Sequence, residues 1–423
     1  MWYKRGGFLP LRFGEIRRWQ VIVFDHKDDS MPRSSNYIKR VVGLPGETVE
    51  LHDGDVWVKG SGDSRARIVR KPRELQESLW IKLCDLSFSD PRRLPYYWEV
   101  RQGGTVLPAG DAVRDGRLML AAEADKPVEL HWRPGRPLDN RFLRLTVKHV
   151  QCPNPDCPRH GRPFRAVFDT ARPLAFCPNR ECRWPVWGVD DDGYAGELEL
   201  ATTTSKGESI GDFWSEQEMR RAAPGKASRV GDLRLAADFE LLGGEGALEF
   251  ALTARSERFA LRLPLGPAEP EAQISRDGKR GSGRRIPIVP GVHHIELVNV
   301  DGEYRAELDG VEIGPVQYVP PIEANQYLTD AEITASGDVR LALDNLRLYR
   351  EIYYGHTTTD KMLPCGPGDR SSRIYVKKGH YFFLGDNSLA SKDGRMFGTK
   401  PEEKIVARGL FVAWPPSRAH LIK

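Results

Sequence analysis

One segment with two tight-turn signals constrains the fold of this chain more than any other feature. Residues His293 to Ile313 read HHIELVNVDGEYRAELDGVEI, in which apolar and polar side chains alternate around two Asp-Gly pairs, Asp301-Gly302 and Asp309-Gly310. A period of two is typical of half-buried strands, and Asp-Gly tolerates the positive φ that tight hairpin turns require. The segment therefore predicts antiparallel strands joined by tight turns.

The same alternation recurs through a long middle region of the sequence. It is clearest in Leu233 to Leu241, Ala247 to Ala254, Phe259 to Leu265 and Val339 to Leu348. Many such strands over roughly 250 residues predict a two-sheet sandwich or jelly roll. The 41 glycines and 31 prolines favour the same mainly β fold, with few long helices. From Trp98 onward the pattern resembles concanavalin-like or laminin-G-like sandwiches.

A second, smaller β unit frames this region. Strand-like runs near the start are Trp19 to Phe24, Tyr37 to Val42, Thr48 to Leu51 and Asp55 to Val58. Similar runs near the end are Ile374 to Lys377, Tyr381 to Leu384 and Ile405 to Trp414. Because a surface loop tolerates large insertions, we predict one discontinuous β domain, residues 1–60 plus 370–423, interrupted by a β-sandwich domain of residues 61–369.

Four of the six cysteines form two pairs with equal spacing inside the predicted insertion. Cys152 and Cys157 lie in CPNPDC, and Cys177 and Cys182 lie in CPNREC. Four thiolates suit a tetrahedral structural Zn²⁺, while two local disulfides are the alternative. The sequence thus predicts a small four-cysteine clip resembling a zinc ribbon, residues 150–187, with His160 as a substitute ligand. The remaining cysteines, Cys84 and Cys365, stand alone.

The charge balance does not identify a binding partner. Lys and Arg total 63 against 59 Asp and Glu, a net +4 that is dispersed along the chain. Several basic residues flank the clip, but a solvated surface explains them better than nucleic-acid contact, and no nucleic-acid partner is expected. No apolar run reaches the roughly 18 residues that a membrane helix needs. The residues that follow Met1 also lack the apolar core of a signal peptide. The chain as written is expected to be soluble, with no targeting segment.

Two motifs at opposite ends of the sequence carry the functional signal. The loop GDNSLASKDGRMFG, Gly385 to Gly398, follows the apolar run Tyr381 to Leu384, and YIKRVVGLPGE spans Tyr37 to Glu47. Together with RRWQVIVF, which precedes them, these boxes resemble type I signal peptidase, the membrane-bound Ser/Lys endopeptidase family that removes signal peptides. The three boxes and their surroundings cover roughly 100 residues and occur in the family's order.

The resemblance implies a role for each residue of these boxes. Lys39 would be the general base, which requires its pKa to fall through burial among apolar neighbours. Ser391 would hydrogen-bond the Lys39 amine and orient it. Asp393 and Arg395 would form a structural ion pair near the site, and the loop would be shaped by Gly385, Asp386 and Asn387. Catalysis of this kind needs no cofactor.

The chain departs from the family pattern at the nucleophile. The family's serine lies in a box of the form S-M-x-P-T, upstream of RRWQVIVF and just after a membrane helix, yet no serine precedes Arg17. Ser30-Met31-Pro32 resembles the box, but it lacks the residue between Met and Pro and lies after RRWQVIVF. We expect the membrane helix and the nucleophile to lie upstream of Met1, so that the given chain is inert alone.

Two hypotheses follow for the whole protein. In the first it is a signal peptidase at the extracytoplasmic face of the cytoplasmic membrane, held there by the missing N-terminal helix, with signal peptides of secreted preproteins as substrates. In the second it is a catalytically dead homologue, whose insertion binds carbohydrate or protein. Zinc-dependent nucleic-acid binding is a third, weaker alternative.

Overall fold

The computed structural model describes sixteen stretches of the chain. They are residues 15–27, 33–88, 94–132, 145–152, 155–160, 163–169, 174–179, 181–182, 185–187, 230–266, 271–321, 329–354, 372–386, 391–409, 411–412 and 420–421. Cys365, Asn387 and the segment Ser30-Met31-Pro32 lie outside them.

Strands dominate the described residues, which confirms the predicted mainly β fold. In chain order the strands are β1 Val21–His26, β2 Ser35–Gly43, β3 Thr48–His52, β4 Asp55–Lys59, β5 Arg67–Ile68, β6 Ile81–Leu86, β7 Trp98–Gln102, β8 Thr105–Val106, β9 Val113–Arg114, β10 Arg117–Ala122, β11 Val128–Trp132, β12 Leu145–Gln151, β13 Pro163–Asp169, β14 Leu174–Phe176, β15 Pro185–Trp187, β16 Leu233–Ala254, β17 Glu257–Leu265, β18 Glu271–Arg276, β19 Lys279–Arg285, β20 Val292–Val300, β21 Glu303–Leu308, β22 Val311–Gln317, β23 Asp330–Arg350, β24 Ser372–Tyr375, β25 His380–Leu384, β26 Lys400–Pro401, β27 Ile405–Arg408, β28 Phe411–Val412 and β29 His420–Leu421.

The described helices are all short, in agreement with the sequence. They are α1 Arg73–Leu79, α2 Leu94–Tyr97, α3 Ala109–Ala112, α4 Gly394–Phe397 and a 3₁₀ helix, Glu402–Lys404. Within the described residues no helix has the length and apolarity needed to cross a membrane.

The two ends of the chain pair with each other in two small sheets. One sheet has the order β26-β25-β2-β1-β27, and the other has the order β24-β3-β4-β5. Val41 pairs with Phe383 between β2 and β25, and Val49 pairs with Ile374 between β3 and β24. Apolar side chains from both ends, among them Phe24 and Phe383, are fully buried together. Burial of this surface therefore holds the beginning and the end of the chain side by side.

The packing of this small unit continues beyond residue 60. Strand β5 pairs with β4, and the side chains of Leu75 and Leu79 on α1 enter the same apolar cluster as Val49 and Tyr354. The chain thus leaves this core after residue 81 and re-enters it before residue 355. The division at residues 60 and 370 stays a prediction, because packing alone does not define a domain.

A fourteen-stranded sheet forms the sandwich that fills the middle of the chain. Its centre is the antiparallel pair β16 and β23, which run side by side for most of their length. The sequence predicts two strands where β16 lies, but β16 continues through Gly243 and Gly244 with an irregularity in pairing instead of a turn. A Cβ on Gly244 would lie 2.0 Å from the Asp338 carbonyl oxygen, so only glycine fits where the strands cross this bend.

The hairpin turns match the prediction from the two Asp-Gly pairs. Strands β20, β21 and β22 are consecutive antiparallel neighbours. Their turn residues Asp301, Gly302, Asp309 and Gly310 have φ values of 49, 68, 50 and 77 degrees. These positive values are what the two Asp-Gly pairs were expected to supply.

Buried charges join the sandwich to the small unit. The Lys71 ammonium, just before α1, forms ion pairs with Asp301 of the β20–β21 turn and with Glu351. Arg255, in the turn after β16, donates to the Asp55 carboxylate on β4 at 2.6 Å. We call this group, with Asp232 beside it, the buried junction.

Candidate functional site

A pocket of about 290 Å³ lies between strands β1 and β2 and the loop after β25. Its lining residues are Val21, Ile38, Lys39, Arg40, Gly385, Asp386, Ser391 and Lys392. Four of the residues that the sequence predicted to act together therefore line one cavity: Lys39, Gly385, Asp386 and Ser391. They come from positions almost 350 residues apart in sequence because β2 and β25 are neighbours in the sheet.

Lys39 lies on β2, opposite Ile22 of β1, and is half-buried. Desolvation lowers the pKa of its ammonium below the ordinary value of 10.5; Asp393 and Asp386 oppose the shift, and Arg395 adds to it. Its Nζ lies 5.6 Å from the centre of the Tyr37 ring. Desolvation favours the neutral amine, which is the form that a general base requires.

Ser391 lies against Gly385 at the floor of the pocket. A Cβ on Gly385 would lie 1.9 Å from Ser391 Oγ and 3.3 Å from Lys39 Cδ, so any larger residue would collide with the serine. The Ser391 side chain is buried, with 6% of its surface exposed, and its Oγ has no hydrogen-bond partner among the described residues. Within this described part of the chain Ser391 therefore does not form the expected hydrogen bond to Lys39, whose amine lies near the Tyr37 ring instead.

Asp393 and Arg395 form a fully buried ion pair beneath the pocket. Asp393 accepts from Arg395 Nε at 2.9 Å and from Arg395 Nη2 at 2.8 Å. The same carboxylate accepts the backbone N–H of Gly385 at 3.0 Å and caps helix α4 through the backbone N–H of Arg395. One carboxylate therefore fixes both the glycine beneath Ser391 and the helix that follows it.

Sequence motifs assigned no role to Arg40, but the structure places it on β2 in contact with Asp386 of the loop after β25. Its guanidinium donates from Nε and Nη2 to both oxygens of Asp386, at 2.9 and 2.6 Å, and from Nη1 to the Trp19 carbonyl at 2.7 Å. This fork ties the two sequence motifs directly together. The sequence carried no signal for this role, because the partner Asp386 lies 346 residues away.

The LPGE turn is held to the RRWQVIVF segment in a similar way. The Arg18 guanidinium pairs with the Glu47 carboxylate and also donates to the Val42 carbonyl. Glu47 in turn accepts from the Leu44 backbone N–H at 2.8 Å. All three sequence boxes are thus connected by ionic hydrogen bonds around β2.

The four paired cysteines lie together at a second place in the molecule. The sulfur atoms of Cys152, Cys157, Cys177 and Cys182 are all within 4.8 Å of one another. His160 is not in this group, and its Nδ1 lies 3.0 Å from the Cys152 carbonyl oxygen. Cys84 lies apart from them, in the sandwich core on β6.

Comparison with known proteins relates the two ends of the chain to one family. The family model for signal peptidase, peptidase S26, matches residues 3–104 and 320–414. The mitochondrial ATP-independent inner membrane protease subunit 1a of Arabidopsis thaliana is 45% identical over 49 residues, which are 12% of this chain and 29% of that protein. Signal peptidase I of Bacillus licheniformis is 29% identical over 70 residues, 16% of this chain and 35% of that protein.

These matches support homology to the S26 peptidases, which are hydrolases, at the level of the family. The chain spans about a third or less of the length of these curated relatives. Residues 105–319 fall between the two matched segments.

A solved structure resembles the chain only weakly. A Bacillus subtilis protein of unknown function with a galectin-like fold has a TM-score of 0.33 and 7% identity, over 65% of this chain and 98% of that chain. This score does not establish a shared fold, so the concanavalin-like or laminin-G-like architecture stays a prediction.

Proposed function

We propose that this chain carries the base half of a serine endopeptidase that cleaves signal peptides from secreted precursors. The observation that carries the proposal is the pocket in which Lys39, with a lowered pKa, lies beside a buried Ser391 hydroxyl that has no partner among the described residues. Such a hydroxyl costs stability, so its retention is most simply explained by a partner gained during function. The family matches at both ends of the chain support the same activity.

In this proposal Lys39 acts as the neutral general base. The Lys39 amine removes the proton from a serine hydroxyl as the serine oxygen attacks the scissile carbonyl. The protonated lysine then gives that proton to the amino group of the departing peptide. The acyl-enzyme is hydrolysed when the same lysine activates water. Ser391 donates a hydrogen bond to the amine once substrate excludes water from the pocket, since such contacts often tighten only in the complex. The attacking serine is assigned to an S-M-x-P-T box upstream of Met1.

An extended substrate would find backbone partners beside this pocket. Strand β2 pairs with β25 only from Arg40 onward, so among the described strands Ser35 to Lys39 pair on one side, with β1. The side chain of Ile38 in this stretch is 56% exposed. A signal peptide can add a strand along such an edge, with its small residues directed toward Lys39. The proposed place of action is the extracytoplasmic face of the cytoplasmic membrane.

The test begins with the genomic DNA upstream of the Met1 codon. We expect an in-frame S-M-x-P-T box preceded by an apolar stretch. The extended chain should then cleave a precursor that carries a signal peptide. Lys39→Met should lower the rate by at least about 10²-fold, because general base catalysis contributes that much or more.

Lys59→Met is the matched control, since Lys59 is also a half-buried strand lysine but lies on β4, outside the pocket. It should cleave at the rate of the unmodified chain. A stop codon directly upstream of Met1, or full activity in Lys39→Met, would contradict the proposal. Retention of a glycan or peptide by the purified chain without any cleavage would favour the binding-module alternative.

A further inference from the structure

The cysteine cluster lies between two small hairpins. Cys152 follows β12, and Cys157 lies in the connection that leads back to β13. Cys177 follows β14, and Cys182 lies in the connection to β15. Strands β12 and β13 form one two-stranded sheet, and β14 and β15 form another. Each cysteine pair therefore lies where its hairpin reverses direction, and the two reversals face each other.

The sulfur separations match a four-coordinate metal. Cys152 Sγ lies 3.7 Å from Cys182 Sγ, and Cys157 Sγ lies 3.8 Å from Cys177 Sγ. Four sulfurs at about 2.3 Å from a zinc ion, arranged as a tetrahedron, lie about 3.8 Å from one another. A disulfide would bring two sulfurs to about 2.05 Å. Both short separations join one cysteine pair to the other, so the cluster differs from the two local disulfides that the sequence left open.

Groups around Cys157 are arranged as they are around a thiolate. The backbone N–H of Arg159 donates to Cys157 Sγ at 3.3 Å, and the Asn179 side-chain amide donates to it at 3.6 Å. The backbone carbonyl of Asn179 also accepts the backbone N–H of Cys182 at 3.1 Å, and this hydrogen bond closes the second turn. Donors aimed at sulfur stabilise its negative charge and fix the direction of the ligand.

The paired cysteines pack together in the described part of the two hairpins. The apolar cluster in this described part of the chain contains Cys152, Cys157 and Cys177, with Phe164 and Cys182 packed against them. A two-stranded hairpin is marginal by itself in water, and a small module without a sizeable core needs a metal or a disulfide. The cysteine side chains thus lie at the centre of this described cluster, where a bound metal would join the two hairpins.

From these contacts we infer that Cys152, Cys157, Cys177 and Cys182 bind one structural Zn²⁺ that joins the β12–β13 hairpin to the β14–β15 hairpin. Four protein ligands fill a tetrahedral site and leave no open position, so its role is structural and not catalytic. Zinc is preferred because four soft thiolates in a tetrahedron suit it and because it carries no redox chemistry. The inference is independent of the proposed peptidase activity.

The metal content of the full chain, purified without added chelator and measured by inductively coupled plasma mass spectrometry, tests the inference. About one equivalent of zinc is expected, since four thiolates complete one site. Cys157→Ser and Cys182→Ser should each lose it, whereas Cys84→Ser, a buried cysteine on β6, should keep it. Removing zinc with a chelator should make residues 150–187 susceptible to limited proteolysis, while a reductant alone should leave them protected.

A second measurement covers variants that fail to fold. Unmodified protein stripped of metal and supplied with Co²⁺ should show the absorption of tetrahedral cobalt bound by four thiolates. The inference is overturned if the purified protein contains no zinc and shows no such spectrum, or if iron occupies the site. A disulfide between Cys152 and Cys182, found by peptide mapping without reduction, would also overturn it.

Discussion

At the scale of single residues, the pocket is defined by a serine whose surroundings suit function better than stability. Ser391 is buried against Gly385, yet its Oγ has no partner among the described residues. Burying a hydroxyl without a hydrogen bond costs about 1–3 kcal/mol. Lys39, which is half-buried on β2, adds a second unfavourable contribution to the free energy of folding, because desolvation opposes the charge of its ammonium.

Ser391→Ala should therefore stabilise the protein. We expect the free energy of unfolding in urea to rise by about 1 kcal/mol, because the substitution removes a buried hydroxyl that has no hydrogen-bond partner among the described residues. Ser78→Ala is the control, since Ser78 Oγ donates to the Leu75 carbonyl at 2.8 Å. Because Ser78 is exposed, water replaces that hydrogen bond, and the free energy of unfolding should change by no more than about 0.5 kcal/mol. Destabilisation of both variants to the same extent would contradict the account of Ser391.

At the scale of elements, the loop after β25 is organised by one carboxylate. Asp393 accepts from the backbone of Gly385, caps α4 and pairs with Arg395, and both side chains of the pair are fully buried. The fork between Arg40 and Asp386 fixes the other end of the loop to β2. The position of Ser391 relative to Lys39 therefore depends on two ion pairs with different burial.

Asp393→Asn should be strongly destabilising. The substitution leaves the Arg395 guanidinium buried against a neutral partner, and breaking a buried pair in this way costs about 3–5 kcal/mol. Thermal and urea unfolding followed by circular dichroism would measure the loss. Glu123→Gln, which breaks the exposed pair with Lys126, should change nothing measurable. An equally small effect at Asp393 would show that the loop does not depend on this pair.

The bend of β16 shows what a local pattern leaves out. Alternation correctly predicts strand residues on both sides of Gly243 and Gly244, but the glycines by themselves predict the end of a strand. In the structure the chain continues because β23 follows the same bend alongside it, with Gly337 at φ 87 degrees. A turn and a bend shared by two strands have the same glycine signal, so only pairing distinguishes them.

At the scale of the whole molecule, the buried junction joins the two units through charges that the sequence did not mark. Lys71 pairs with Asp301 and Glu351, and Arg255 pairs with Asp55 beside Asp232. Burial raises the pKa of Glu351 from 4.5 to about 8; Lys71 opposes this shift and Asp301 adds to it. Between about pH 4.5 and 8 Glu351 therefore holds a proton that the unfolded chain has released. In that range its contact with Lys71 is a hydrogen bond donated by the ammonium, and it becomes an ion pair only at higher pH.

This shift predicts how stability depends on pH. A carboxyl group with a raised pKa binds more protons when folded, so its contribution is complete below pH 4.5 and is lost as the pH rises toward 8. The Tm should fall through this window, and Glu351→Gln should reduce that slope because glutamine does not titrate. A steeper fall in Glu351→Gln than in the unmodified protein would contradict the assignment.

The motifs and the hairpin turns were predictable because each rests on residues close in sequence. Asp301-Gly302 indicated its turn directly, whereas Lys39, Gly385 and Ser391 were grouped only through the family resemblance of their two motifs. Arg40 and the junction could not be found in this way, since Asp386 and Asp301 lie hundreds of residues from their partners. A charged residue shows its burial only when the fold brings its partner to it.

We propose that Lys39 is held in this pocket as a base, and titration of its amine measures that property. Nuclear magnetic resonance of ¹³C-methylated lysines, with Lys39 assigned by comparison with Lys39→Met, would follow each amine separately. We predict that Lys39 titrates below 10.5 and below Lys126, whose pKa is raised by its hydrogen bond to Glu123. A Lys39 amine that titrates at or above 10.5 would contradict the claim.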